Sequence, residues 1–227
     1  MEGPRLDKLM RYERKYVLNN NMSWRFKDML FKKNFKKVFF KRKVKSLYFD
    51  TIDYLFFKEN IEGVGYRMKP RIRWYENLYG KNNEKKKYIF EIKRKKGFVG
   101  TKEIFNINFI FDLEDKKINL FKGELSKKIS AIVKKNVEPV LVTSYDREYF
   151  LNYNKKLRAT IDTNLSVKHI NNKSSIPLNN EIMEIKYNKE NDDYYRNTII
   201  DTNFNFRFQK YSKYVSGILR LKKNGFI

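Results

Sequence analysis

Between Tyr66 and Tyr75 the sequence reads Tyr-Arg-Met-Lys-Pro-Arg-Ile-Arg-Trp-Tyr. Successive side chains of an extended strand point to opposite faces. Arg67, Lys69, Arg71 and Arg73 therefore share one face, and Met68, Pro70, Ile72 and Trp74 share the other. A helix would scatter these four cations, because residues two apart do not face one another there. A strand sets them in a row, where they repel unless an anion or a line of carboxylates stands against them. This one segment constrains both the architecture and what the architecture binds.

Other segments repeat the pattern with mixed charge. Arg11, Glu13 and Lys15 alternate with Tyr12, Arg14 and Tyr16, and Glu91, Lys93 and Lys95 alternate with Phe90, Ile92 and Arg94. Arg158, Thr160 and Asp162 alternate with Leu157, Ala159 and Ile161, and Glu184 and Lys186 with Met183, Ile185 and Tyr187. An ordinary half-buried sheet would place such charges in water. A closed barrel offers a second solution, with charged faces turned inward around a solvated tunnel and apolar faces outward under helices.

Strand signals extend over 11–18, 44–49, 65–76, 88–95, 102–108, 140–151, 157–165, 181–187 and 205–208. Helical signals are fewer. Ser23 reads as an N-cap for a helix to about Lys33; Leu125, Ile129, Ile132 and Val133 have helical spacing; Asp192–Ile200 forms a short helix; and Tyr211–Leu221 carries a stripe of Tyr214, Ile218 and Leu221. Trp24, Trp74, Phe26 and Leu30 read as core or helix–barrel packing. No repeat or Pro-rich linker interrupts residues 1–227, which read as one continuous domain.

The chain holds 51 Lys and Arg against 26 Asp and Glu, a net charge of +25. With 41% hydrophobic residues it is too apolar for a disordered basic tail. Two causes fit the excess: residue-usage bias, or a polyanionic partner such as nucleic acid, anionic lipid or a polyanionic small molecule. The absence of cysteine excludes disulfides, thiolate zinc sites and thiol nucleophiles. His169, the only histidine, precedes a polar loop and excludes a His-pair metal site. No stretch reaches the ~20 apolar residues of a membrane span. No signal peptide is visible at the N-terminus, so a cytoplasmic location is expected.

Eight pieces taken in order resemble the VTC domain, the polyphosphate polymerase domain of the triphosphate tunnel (CYTH-like) metalloenzyme superfamily. They are Arg11-Tyr-Glu-Arg-Lys-Tyr16, Ser46-Leu-Tyr-Phe-Asp-Thr51, Lys69-Pro-Arg-Ile-Arg-Trp-Tyr75 and Phe90-Glu-Ile-Lys-Arg-Lys95, then Ser144-Tyr-Asp-Arg-Glu-Tyr149, Leu157-Arg-Ala-Thr-Ile-Asp162, Met183-Glu-Ile-Lys-Tyr187 and Phe208-Gln-Lys-Tyr-Ser-Lys-Tyr-Val215.

The resemblance implies an α+β fold, an antiparallel β-barrel tunnel with flanking helices. It implies an ATP–polyphosphate phosphotransferase that moves the γ-phosphoryl group of ATP onto inorganic polyphosphate, with Mn²⁺ or Mg²⁺ as cofactor. Carried over by motif position, Arg71, Arg73, Arg158 and Lys15 are the catalytic cations, and Lys93, Lys102, Lys186 and Lys213 bind substrate. Glu184 is the metal ligand, with Glu13 in the first E-x-K position as a second. Arg67, Lys69 and Arg147 join the substrate-binding set from face and charge. The partners are ATP and polyphosphate. Coupling of synthesis to translocation would need other, membrane-associated proteins.

Two alternatives stand beside this reading. A triphosphatase would use the same tunnel with water as attacking group. A non-catalytic polyanion binder would need no reaction at all. Nucleic acid is not expected, because the aromatics alternate away from the Arg face and do not form stacking platforms beside it.

Overall fold

The computed structural model describes residues 5–6, 11–78, 87–96, 99–105, 122–172, 174–200 and 206–227. In chain order these form β1 (Arg5–Leu6), β2 (Arg11–Asn19), α1 (Ser23–Lys32), β3 (Phe35–Asp50), α2 (Leu55–Glu62), β4 (Tyr66–Asn77), β5 (Ile89–Lys96), β6 (Val99–Phe105), α3 (Lys122–Val133), β7 (Glu138–Asn152), β8 (Arg158–His169), β9 (Ile176–Pro177), β10 (Asn180–Asn188), α4 (Asp192–Ile199) and α5 (Lys213–Lys223). The strands make one antiparallel sheet in the order β1-β6-β5-β4-β3-β7-β8-β10-β2, with β9 added to β8. Parts of the expected segments 102–108 and 205–208, and residues 81–86, lie outside the described residues.

The sheet curls into a tunnel. On β5, Lys93 Nζ donates to Glu13 Oε2 of β2 at 2.8 Å, although β4, β3, β7, β8 and β10 all lie between those two strands in the sheet order. The hydrogen-bonded ladder itself is open: among the described residues no backbone pairing joins β2 to β5 or β6. The segment before α5 borders this seam. Phe208 bridges Tyr16, the Gln209 amide donates to the Lys15 carbonyl at 2.9 Å, and Lys69 Nζ of β4 reaches Ser212 Oγ at 3.0 Å.

Strand alternation distributes the apolar side chains among three cores. On one outer face Leu47, Ile72, Trp74, Phe90 and Ile92 pack beneath Leu125, Ile129 and Val133 of α3. On the other, Tyr16, Ala159, Ile161, Met183 and Ile185 pack beneath Phe26 and Leu30 of α1 and Tyr195 and Ile199 of α4. The third core is on the inner side, where Tyr214, Ile218 and Leu221 of α5 meet Tyr48, Leu141, Val167 and Ile182. Gly217 allows that approach: a Cβ there would stand 3.0 Å from Val167 Cγ2 and 3.4 Å from Leu141 Cδ2.

The motif residue Asp50 belongs to this framework. Its carboxylate accepts from the amides of Thr51, Phe56 and Phe57 at 2.8–2.9 Å, capping the first turn of α2. It also accepts from Tyr214 Oη of α5. Burial pushes the Asp50 pKa up in spite of these bonds.

Four features depart from the sequence expectation. Ser23 is the first helical residue of α1 and not its cap; its amide donates to the Glu181 carboxylate of β10 at 2.5 Å, so a tertiary partner does the capping. Trp24 is 64% exposed, because α1 buries Phe26 and Leu30 and turns the indole outward. β3 runs 16 residues, since its charged first half pairs with β7 along the outside of any local hydrophobic signal. Helix α2 has no clear helical stripe in the sequence and depends on the Asp50 cap.

Candidate functional site

Cross-strand register sets which charged side chains meet on the inner face. Lys69 of β4 lies directly opposite Lys93 of β5, and Lys93 directly opposite Lys102 of β6. Three ammonium groups therefore stand abreast, an arrangement that is destabilising unless compensated. One step along, Arg71 lies opposite Glu91, and its Nε and Nη2 donate to Glu91 Oε2 at 2.9 and 2.8 Å. Lys102 Nζ reaches the other Glu91 oxygen at 3.6 Å. Burial opposes ionisation of Glu91, but Arg71, Arg73 and Lys102 outweigh it and bring its pKa down to about 2.

A second carboxylate is sunk deeper. Asp162 of β8, 1% exposed, accepts from Arg147 Nε and Nη2 of β7 at 2.6 and 2.7 Å and from Lys213 Nζ of α5 at 2.6 Å. Burial raises its pKa, yet the two cations more than offset this and hold it below the ordinary aspartate value. Tyr145 stands among the same cations. Arg73 Nη2 donates to its hydroxyl at 3.2 Å, and Lys213 and Arg147 lie 4.4 and 5.2 Å from its ring centroid. Burial would raise the phenol, but Arg147, Arg73 and Lys213 together lower it. Arg73 also donates to Ser46 Oγ at 3.3 Å.

The third group lies at the seam. Glu184 of β10 is flanked by Lys186 at 2.9 Å and Lys15 at 3.6 Å. Glu13 of β2 is flanked by Lys93 at 2.8 Å and Lys186 at 3.5 Å. Register sets Glu184 opposite Lys15 and Lys186 opposite Glu13, so the two acids sit on a diagonal of the same face. Despite burial, Lys186, Lys15 and Arg147 keep Glu184 well below the ordinary glutamate value. Among the described residues no group of three or more carboxylate or imidazole side chains is arranged to hold a metal. Two carboxylates on a cation-lined wall nonetheless suit Mg²⁺ or Mn²⁺, which bind through one or two carboxylates and complete their shell with water and substrate phosphate oxygens.

Thus Lys15, Lys69, Arg71, Arg73, Lys93, Lys102, Arg147, Lys186, Lys213, Glu13 and Glu184 share one interior. Arg158 is on the same face opposite Lys186, but exposed at the first residue of β8. Arg67 sits toward the opposite rim of β4, its Nη1 donating to the Val64 carbonyl at 2.8 Å. Sequence reasoning put Glu91 and Asp162 on charged faces without assigning them to the site, and it passed over Tyr145 and Tyr48. Tyr48 Oη accepts from Arg71 Nη1 at 3.3 Å. Their signal lay in the quoted pieces, but only register identifies them as counter-ions and positioning groups.

Comparison with known proteins now adds to the geometry. The family model of the VTC domain matches residues 10–222. The chain belongs to the VTC domain family. Its fold is that of the triphosphate tunnel proteins. A candidate adenylate cyclase from Vibrio parahaemolyticus superimposes with a TM-score of 0.50 at 13% identity, covering 90% of this VTC domain chain and 95% of the other. A candidate adenylate cyclase from Bacillus halodurans gives 0.47 at 13% identity, over 98% and 92% of the two chains. A candidate adenylyl cyclase from Hippeastrum, described as having a dominant triphosphatase activity, gives 0.47 at 12% identity over 96% and 97%. No curated protein matches. Among the described residues no helix is long and apolar enough to cross a membrane.

One amine of this wall titrates within the working range. Burial, with Lys15, Lys93, Arg67 and Arg71 nearby, pushes the Lys69 pKa down to about 7. A polyanion bound to this wall would favour the charged amine, so its binding would take up a proton and weaken as pH rises through 7. The limit is about ten-fold per pH unit for one linked proton. Tripolyphosphate titrates too, so the expected result is a difference: between pH 6 and 8.5, calorimetric affinity of the wild type falls more steeply than that of Lys69→Arg, whose guanidinium stays charged. Parallel profiles would remove Lys69 from the binding surface.

Proposed function

We propose that the chain is an ATP–polyphosphate phosphotransferase, transferring the γ-phosphoryl group of ATP to the end of a polyphosphate chain within the basic tunnel. The row Lys69–Lys93–Lys102 is the observation that carries this reading. Three abreast ammonium groups with carboxylates on only part of their perimeter are best compensated by a multivalent anion. An extended phosphate chain offers one charge after another along such a wall.

Phosphoryl transfer leaves little covalent work for side chains, and rate comes from aligning the phosphates and neutralising charge on their oxygens. Arg71, Arg73 and Arg158 would clamp the nucleotide phosphates, their planar donors matching paired oxygens. Lys15, Lys69, Lys93, Lys102, Lys186 and Lys213 would guide the chain, with Arg67 and Arg147 at their flanks. Glu91 and Asp162 keep Arg71 and Arg147 fixed in direction, so their remaining donors are aimed before substrate arrives. Glu184 and Glu13 would hold Mn²⁺ or Mg²⁺, which when bound adds positive charge at the transferring phosphate. The attacking group is an anionic phosphate oxygen, so no side chain need remove a proton.

The test is incubation of the purified protein with ATP and Mn²⁺, resolving products by gel and by free-phosphate assay. ADP with polymer is the expected result. ADP with free phosphate alone would make the protein a triphosphatase, and absence of turnover a polyanion binder.

A further inference from the structure

The inner face continues beyond Arg147 to a cluster that the phosphate reading does not use. Arg42 of β3 lies directly opposite Arg147. Arg147 is neutralised by Asp162, but among the described residues no carboxylate pairs with Arg42, and its buried Nε has no hydrogen-bond partner. Rings take the place of a counter-ion. The guanidinium sits between Tyr75 of β4 and Tyr149 of β7, at 4.9 and 4.8 Å from their centroids, with the Phe39 ring at 5.9 Å.

Phe39 is brought there by a backbone irregularity. Lys37, Lys41 and Lys43 all reach outer-face carboxylates, Lys37 to Glu148 and the other two to Asp146. Simple alternation would send Phe39 outward with them. Register shifts fall between Lys37 and Phe39 and again between Phe39 and Arg42. They turn the ring against Tyr149, 5.8 Å between centroids at 84°. Bulges of this kind re-aim side chains beside functional sites. The ring is not buried by the turn: Phe39 remains 62% exposed, and Phe40 next to it 83%.

We propose that Phe39, Arg42, Tyr75 and Tyr149 form a stacking platform for the base of a nucleoside triphosphate whose phosphates lie at Arg73 and Arg71. This rests on the proposed function, and it adds how a nucleotide donor is told apart from a bare phosphate chain. An inorganic phosphate has no π face and gains nothing from exposed rings. A base gains from them, and an arginine between rings adds a cation–π contact. The spacing suits a nucleotide: Ser46, the partner of Arg73, is four residues from Arg42 along β3, about 13 Å of strand. Stacking is tolerant of base identity, so the platform registers that a base is present and not which purine it is.

The experiment is calorimetric titration of wild type, Phe39→Ala and Phe39→Trp with ATP, GTP and tripolyphosphate, each with Mg²⁺. The exposure of Phe39 makes the alanine variant a surface change, checked by its melting temperature. Phe39→Ala is expected to weaken ATP and GTP about ten-fold and to leave tripolyphosphate unchanged, while Phe39→Trp retains nucleotide binding. Equal loss for all three ligands, or loss for none, would overturn the platform with the phosphate tunnel still standing. Failure of the wild type to bind tripolyphosphate or ATP would overturn the tunnel reading and the platform together.

Discussion

Asp162→Asn is expected to cost about 3–5 kcal/mol of folding stability, the range found when one partner of a buried ion pair is removed. The amide keeps the shape of the carboxyl group but leaves Arg147 and Lys213 facing each other without a counter-charge. Denaturant unfolding checks the size of the loss. The pH dependence gives a second signature. The folded pKa of Asp162 is depressed, so its contribution is complete above the ordinary aspartate range, near ~3.9. It is lost as pH falls through the lower folded value. The variant should therefore lose less stability than wild type across that acid window. Tripolyphosphate should rescue the variant more than the wild type: without the carboxylate, Arg147 and Lys213 are free to hold the anion more tightly, and a ligand bound only by the folded state stabilises it by an amount that grows with the logarithm of its affinity. A variant as stable as wild type would mean that Arg147 and Lys213 have other partners.

For Glu184→Gln the expected result is a fall in polymer formation with ATP and Mn²⁺ of about a hundred-fold or more, the scale seen when a group that orders charge at the reacting centre is lost. Without metal, binding should move in the other direction. Loss of the carboxylate frees Lys186 and Lys15, both now within ion-pair distance of it. The lumen becomes more positive, and polyphosphate should bind more tightly in chelator-treated buffer. A merely structural salt bridge would weaken binding and turnover together. Unchanged turnover in a folded variant would remove Glu184 from the metal role.

How much of this could be read from the chain follows from which interactions are local. Alternation between Tyr66 and Asn77 depends on neighbouring residues alone, and it placed Lys69, Arg71 and Arg73 on the face they occupy. The stripe of Tyr214, Ile218 and Leu221 likewise marked the buried side of α5. Counter-ion identity is not local. Asp162 finds Arg147 only because β7 pairs with β8 in one register across a bulge at Ser144 and Asp146. Glu91 finds Arg71 only through the β4–β5 register. A shift of one residue would have sent either acid to the opposite face. The inward turn of Phe39 had no sequence signal at all, since simple alternation along β3 assigns it to the other side.

The close seat of α5 has a mechanical meaning. Gly217 and Lys213 are one helical turn apart, about 6 Å along the axis. The glycine presses against Val167 and Leu141 while the lysine, at the helix start, reaches Asp162. Tyr214, Ile218 and Leu221 pack the rod onto the sheet around this close approach, and Gly217 is the fulcrum that sets how near the rod lies. A side chain grown at the fulcrum would have to push the Val167 and Leu141 side chains aside by a few tenths of an ångström or else lift the rod, and lifting it would draw an ammonium group out of the lumen. The tunnel's electrostatics are in this way calibrated by a missing methyl group on a residue that carries no charge.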